Sequence, residues 1–407
     1  PDTVVRGGWG LYSYNWSLDT YGSGMGESFG SSGSLADNSN GITPVTQLDG
    51  TGTVFGTATA LPFTAASTDP TRFNGQGAGY QQFHTPVPKI YQWNLSFQRE
   101  MTTNYVAELS YVASHGYNLA FPTDLNQVPQ SKLSSNDSAN RPYPVYQSIG
   151  GSTNNAISNY NSLQASITKR MTNGFSFSFN YVWAHMLDDL DSSGWGSRAG
   201  EQPYQDASNP AANYSNSNFD VRNAFKGYAV YALPIGRGKM LALNNGILDA
   251  VAGGWQLSGT VVLQTGNPFT VYSTQNTYAL AGSAFPNWNN GLSWKPQHQT
   301  VNNWYNASAF TQPANGTFGN VRRNSLYGPG LNYFNLSGSK TFTMPWENIQ
   351  LQIRCDASNV FNHPSFANPN TNLGGSTGVG TPYTNTSVIS STTEAGRDIQ
   401  LGAHLSF

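Results

Sequence analysis

Few residues in this chain have the means to do chemistry, and they are scattered. The densest set is Asp188, Asp189 and Asp191, close to His185. Their spacing lacks the regular alternation of a calcium-binding loop, whose oxygen ligands recur at every second position and close on a bidentate glutamate. They read as a solvated acidic loop. The six histidines, at positions 84, 115, 185, 298, 363 and 404, contain no H-x-x-x-H pair, so they offer no two-histidine helix face for a zinc hydrolase. His404 falls on the polar side of the last strand, and Asn362-His363-Pro364 reads as a turn. Ser-Gly pairs such as Gly33-Ser34 and Gly151-Ser152 sit in low-complexity stretches. Gly22-Ser23-Gly24-Met25-Gly26 resembles a phosphate loop without the strand, helix or lysine that would make it one. Neither a catalytic residue nor a metal or cofactor site is assigned. Cys355 is the single cysteine, too few for a disulfide or a zinc cluster.

Aromatic residues are the more promising set. Trp288, Trp294, Trp304 and Tyr305, with Tyr204 and Tyr214, lie among Asn and Gln. Flat rings flanked by amides could bind an external sugar or aromatic ligand. The same rings could pack loops together or form an aromatic girdle at a bilayer boundary, and that reading is favoured about two to one. The charged residues Arg99, Glu108, Arg354 and Asp356 are placed in a polar interior as internal salt bridges, since buried ions need partners.

Composition narrows what scaffold could hold these residues. Only 10% of the 407 residues are charged, against about 25% in an ordinary soluble domain. Hydrophobicity is also low, at 38% with mean hydropathy −0.42, and no run approaches the roughly 18 apolar residues of a spanning helix. Glycine, small polar residues and 13% aromatics fill the difference. A β-structure with lipid on one side and water on the other fits this balance. So do secreted repeats and polysaccharide-binding β-proteins. Net charge is −2 with pI near 6.3, which gives no basic footprint for nucleic acid.

Period-two alternation supplies the strands. In 397–407, Ile399, Leu401, Ala403, Leu405 and Phe407 share one face, and polar residues share the other. A terminal strand this apolar invites aggregation unless it closes a barrel and has both edges paired. Phe175, Phe177, Phe179, Tyr181 and Trp183 alternate with Ser176, Ser178, Asn180, Val182 and Ala184; five rings on one face do not suit a watery surface. Before them, 163–168 alternates up to an Asn173-Gly174 turn, a strong hairpin signal. Further strands are predicted at 4–12, 89–99, 104–113, 221–233, 255–264, 331–343 and 348–360, with one short helix inside 241–251. About ten strands of roughly ten residues, the length a tilted transmembrane strand needs, are joined alternately by short turns and long polar loops. Turns at 100–103, 169–173 and 344–347 would face the periplasm, and the long loops (13–88, 114–159, 185–219, 265–329 and the stretch after 360) would face outward.

These pieces together resemble a known family. V-V-R-G-G-W-G-L-Y at 4–12, N-S-L-Q-A-S-I-T-K-R-M-T-N-G-F-S-F-S-F-N-Y-V-W-A-H at 161–185 and F-D-V-R-N-A-F-K-G-Y-A-V-Y-A-L-P-I-G at 219–236 look like TonB-dependent receptor barrels of the Oar-like, acidobacterial type. So do G-G-W-Q-L-S-G-T-V-V-L-Q-T-G-N-P-F-T at 253–270, R-C-D-A-S-N-V-F-N-H-P-S-F at 354–366 and G-R-D-I-Q-L-G-A-H-L-S-F at 396–407. The resemblance implies an all-β antiparallel transmembrane barrel. Residues 1–407 would be a single C-terminal region of a barrel of about 22 strands, with long external loops, the plug and the N-terminal regulatory-like domain lying outside this chain. It implies a bacterial outer-membrane location, uptake or sensing of an external nutrient whose identity the sequence leaves open, carbohydrate and peptide being the candidates, and coupling to a TonB complex through those N-terminal parts. It also implies recognition of the strand ending at Phe407 by the barrel-assembly machinery. Phe175, Phe177, Phe179, Tyr181, Trp183, Leu401, Leu405 and Phe407 would face outer-membrane lipid, and Trp288, Trp294, Trp304 and Tyr305 would be the ligand-binding candidates. The competing expectations are a carbohydrate-binding surface β-protein of the adhesin kind and a complete small porin.

Overall fold

The computed structural model describes residues 2–13, 74–81, 84–133, 138–191, 204–273, 284–314, 316–343, 349–385 and 387–407. The stretches 22–26 and 33–34 and the turn at 344–347 lie outside them. Ten long strands carry the fold: β1 (Thr3–Ser13), β2 (Lys89–Thr102), β3 (Tyr105–Asp124), β4 (Ile149–Thr172), β5 (Phe175–Asp188), β6 (Asn223–Ala232), β7 (Trp255–Gln264), β8 (Leu331–Thr343), β9 (Gln350–Ser358) and β10 (Asp398–Ser406). They lie in one sheet in chain order, each antiparallel to the next. The sheet is open. Among the described residues β1 pairs only with β2 and β10 only with β9, so the expected second partner of the last strand is not there.

Register turns the alternation of each strand into two continuous faces. Phe179 lies opposite Ile167 and Gly227, and these lead on to Ala107 and Val261 and then to Phe334. One residue along, Asn180 lies opposite Ser166 and Lys226, continuing to Glu108. Because the side-chain period is two, a one-residue slip anywhere would exchange the faces. Rings on the apolar face meet across and along strands: Phe177 stacks on Phe179 at 4.9 Å, Phe179 on Phe225 at 5.7 Å, and Phe175 meets Tyr231 edge to face at 5.6 Å. Gly227 makes room for this ladder. A Cβ there would sit 2.2 Å from the Phe179 ring. At the β4–β5 turn, Asn173 and Gly174 both have positive φ, 53° and 75°, which is what a two-residue turn matching the sheet's twist requires.

Arg99 corrects the sequence reading. It lies opposite Ala107, on the same face as Phe97 and Trp93 rather than in the polar interior. It stands near the short-turn end of β2, where a long cationic side chain can reach from an apolar surface to water. Strand lengths also differ from expectation. Residues 114–159 are not all loop: β3 runs for 20 residues and β4 for 24, against about 9–11 for a tilted transmembrane strand. Backbone pairing continues past the alternating segment through shifts at Gly116, Leu119 and Ala120, and bulges of this kind erase the period that a sequence reading relies on.

Candidate functional site in the loop cap

The long connections at one end of the sheet do not trail separately. Those after β5, β7 and β9, with the extended ends of β3 and β4, pack into a cap. Its main core is Phe269, Val271, Tyr305, Phe310, Val321, Leu326, Leu373 and Tyr383, each at most 3% exposed. Small strand pairs frame this core: Pro268–Phe269 with Leu326–Tyr327, Tyr272–Ser273 with Asn372–Leu373, and Asn287–Trp288 with Phe310–Thr311. A second cluster joins Phe121, Ala156, Tyr204 and Ala207.

Between the loops lies a buried ionic node. Arg323 donates to Asp188 Oδ1 and Asp191 Oδ2, both at 2.5 Å, with the guanidinium fully enclosed. Asp191 also accepts from Asn324 Nδ2 at 2.9 Å and from the Asn218 amide at 2.6 Å. Burial would push the Arg323 pKa down, but Asp191 and then Asp188 outweigh it and hold it above the ordinary value. Asp189, 3% exposed, accepts from the Ile157 amide at 2.9 Å. Burial raises its pKa, opposed by that amide and more weakly by Arg323, and its Oδ1 has no partner among the described residues. The expected solvated acidic loop is therefore corrected. All three aspartates are buried: a guanidinium that lies 132 residues from Asp191 in sequence comes to meet Asp188 and Asp191, and the Ile157 amide meets Asp189. The one signal that could have found it was Arg322-Arg323 in a loop otherwise almost free of charge.

Neutral amides bind the remaining loops to one another. Gln205 accepts from the amides of Phe285 and Gly319 and donates to the Gly319 carbonyl, while Gln127 donates to the Gln205 carbonyl and accepts from the Ala207 amide. Side-chain to backbone bonds of this kind satisfy polar groups that loop burial would otherwise strand.

The four ligand-binding candidates all lie in this cap. Tyr305 is 1% exposed, donates to the Asn370 carbonyl at 2.8 Å, and burial raises its pKa above the ordinary range. Trp288 packs on Phe310 at 5.0 Å, Trp304 donates to the Tyr327 carbonyl at 2.9 Å, and Trp294 rests against the same core. Tyr204 fills the second cluster, its pKa pushed up to about 12 by burial and then by Asp124, and Tyr214 meets Asn159 at 2.7 Å. None of the four lines the cavity of 520 Å³ where the cap meets the ends of β7 and β8. That cavity offers the Gln264 and Asn368 amides, the Glu394 carboxylate and the Phe366 ring. Such a surface can hydrogen-bond a neutral polar molecule.

The residues expected to face lipid lie on one face of the sheet: Phe175 to Trp183 on β5, with Leu401 and Leu405 opposite Cys355 and Leu351. Leu401 and Leu405 are 77% and 54% exposed, and Phe407 beyond them is 99% exposed. On the polar face, Arg354 pairs with Asp356 at 2.7 Å and Glu108 accepts from Ser110 at 2.8 Å. Cavities of 220 and 480 Å³ hollow that face, around Asn180 and Lys226 and around Ser258 and Arg354.

A family model described as "Outer membrane beta barrel domain" matches residues 1–400. The chain belongs to that family. Its place is the bacterial outer membrane, and its fold is the antiparallel sheet of an outer-membrane β-barrel domain. Among solved structures it is similar to the outer membrane transporter YddB from Escherichia coli, at 12% identity and a TM-score of 0.43, over 81% of this chain and 34% of that one. The chain thus spans about a third of the length of that transporter. No curated protein matches it. Among the described residues no helix is long and apolar enough to cross a membrane, a fact that says nothing about crossing by strands.

Proposed function

We propose that this chain is part of the barrel of a TonB-dependent outer-membrane receptor that takes up or senses an external polar nutrient, and that it carries no covalent chemistry. The observation that supports this reading most is the pairing of an open two-faced sheet with a packed cap at its long-loop end. The apolar face of Phe175 to Trp183, Leu401 and Leu405 would meet lipid, and the polar face would line a lumen. A sheet that does not close among the described residues favours part of a large barrel over a small porin. An adhesin-like sandwich is disfavoured because, among the described residues, no second sheet packs on the apolar face: Leu401 and Trp183, 77% and 54% exposed, lie open. In this reading the barrel-assembly machinery recognises the strand ending at Phe407, and the TonB complex acts through segments outside this chain.

The test is uptake of labelled oligosaccharides and peptides by cells making the full-length protein, with and without a proton-gradient uncoupler. Uptake that stops when the gradient is dissipated is the expected result. Uptake that persists would mean a passive pore, and carbohydrate binding by a detergent-free soluble protein would mean the adhesin.

A further inference from the structure

The β6–β7 connection, residues 233–254, is the most elaborate link at the short-turn end of the sheet. It carries the helix α1 (Gly246–Ala252). Asn245 caps this helix by accepting from the amides of Ile247 and Leu248. Asp249 accepts from the Arg237 amide at 2.9 Å, and the Lys239 and Leu241 amides close the preceding turns. The connection is therefore a built element, and its apolar residues are left outside. Met240 is 82% exposed, Leu241 54%, Ile247 77%, Leu248 55% and Val251 66%. On the helix, Ile247, Leu248 and Val251 form a single stripe, as residues at i, i+1 and i+4 do.

Two side chains decide which side of the sheet α1 occupies. The Trp255 indole donates to the Val251 carbonyl at 2.8 Å. Lys340 Nζ donates to the carbonyls of Asp249, at 3.1 Å, and of Gly253. Trp255 and Lys340 are register partners, on the same face as Leu257 and Ile353, which is the apolar face. Lys340 is a cation on that face, 5% exposed, and the carbonyls at the end of α1 cover it. Lys169, also on the apolar face near a short turn, is covered in the same way by the carbonyls of Thr172 and Phe175. Both ammonium groups thus sit on the apolar face close to the short-turn end, with backbone carbonyls as partners.

We infer that α1 is an interfacial helix whose Ile247–Leu248–Val251 stripe, with Met240 and Leu241, is seated in the periplasmic leaflet of the outer membrane. The inference rests on the lipid-facing reading of the apolar sheet face proposed above and extends that face around the rim. Exposed basic residues lie in the same connection: Arg237, whose guanidinium pairs with Asp249 at 3.9 Å, and Lys239, which can meet lipid phosphates as basic residues beside a membrane-surface helix do.

The test uses the full chain inserted in vesicles of phosphatidylethanolamine and phosphatidylglycerol, with Cys355→Ser as background. Nitroxides are attached one at a time through Leu248→Cys, Ile247→Cys, Val251→Cys, Phe177→Cys and Arg322→Cys, the last being an exposed cap position. The readout is collision with oxygen, which dissolves in lipid, against collision with a water-soluble nickel chelate. Labels at 247, 248 and 251 are expected to show an oxygen-to-nickel ratio several-fold above that at 322 and close to that at 177. If the α1 labels follow 322 while 177 stays lipid-like, the inference falls and the barrel reading survives. If 177 also follows 322, the lipid-facing reading falls and takes the inference with it. Labels on α1 shielded from both colliders would mean that another protein or a second copy covers the stripe, and would overturn the inference too. Three helix positions keep the test decisive should one label disturb insertion.

Discussion

The sheet and its cap hold an Asn-, Ser- and Gly-rich chain in one shape by different means. In the sheet, order comes from continuous backbone pairing, and side chains on the apolar face stay largely uncovered: Trp9 is 68% exposed and Leu401 77%. In the cap, regular pairing shrinks to two-residue bridges, and order comes from a closed core and a buried charge. Val271, Phe310, Leu326 and Tyr383 are fully buried there, and so is the Arg323 guanidinium. The sheet should therefore tolerate loss of single side chains that lie open on its faces. The cap should fail when one central group is removed.

Arg323→Met gives the largest expected effect. It strands Asp188 and Asp191 in the cap, and breaking a buried ion pair from one side costs about 3–5 kcal/mol. Limited proteolysis should then cut the cap loops while the sheet keeps its strand signal by circular dichroism; loss of both together would mean that the two regions are not separable. Gly227→Val comes next and strikes the sheet. Its side chain would collide with the Phe179 ring and with the Ser178 carbonyl, an overpacking cost of about 1–3 kcal/mol. A lowered unfolding midpoint with an unchanged cap-proteolysis pattern is expected. Asn173→Ala should cost about 1–2 kcal/mol by forcing a Cβ-bearing residue without a local hydrogen-bonding group into the left-handed region, measured in the same way.

The smallest effect runs in the opposite direction. Asp189 has a folded pKa above its ordinary value of about 3.9, so the folded cap holds that proton more tightly than the unfolded chain does. Its contribution must then fall as pH rises from the ordinary value through the raised one, and stay low above it. Asp189→Asn should flatten this dependence and slightly protect the cap near neutral pH. Hydrogen exchange at the Ile157 amide, followed against pH, checks it. Faster exchange in the variant at neutral pH would show that the charge is needed there.

Strand positions and faces were legible in the sequence because alternation is local: each residue's side of the sheet depends only on its parity within the strand. The Asn173-Gly174 turn, the five-ring face of β5 and the short helix before Trp255 all follow from neighbouring residues. Where the pattern lapsed, so did the reading. Arg99 shares the parity of Trp93 and Phe97, yet charge suggested the other face, and the upper parts of β3 and β4 lost their period at bulges.

Only tertiary structure decided the cap. The partners of Arg323 come from the end of β5 and the loop after it, 135 and 132 residues away, and no spacing rule links Gln205 to Gly319. The packing partners of Trp288, Trp304 and Tyr305 were out of reach for the same reason: composition favoured loop packing or a girdle over sugar binding, but only the fold brings Phe310, the Tyr327 carbonyl and the Asn370 carbonyl to these rings. The sequence by itself determined a two-faced antiparallel sheet, since periodicity and turn chemistry act within a few residues. Which loops meet, which charges are buried and where α1 lies against the rim were settled by contacts between distant segments, each of which exists only once the sheet has placed its ends together.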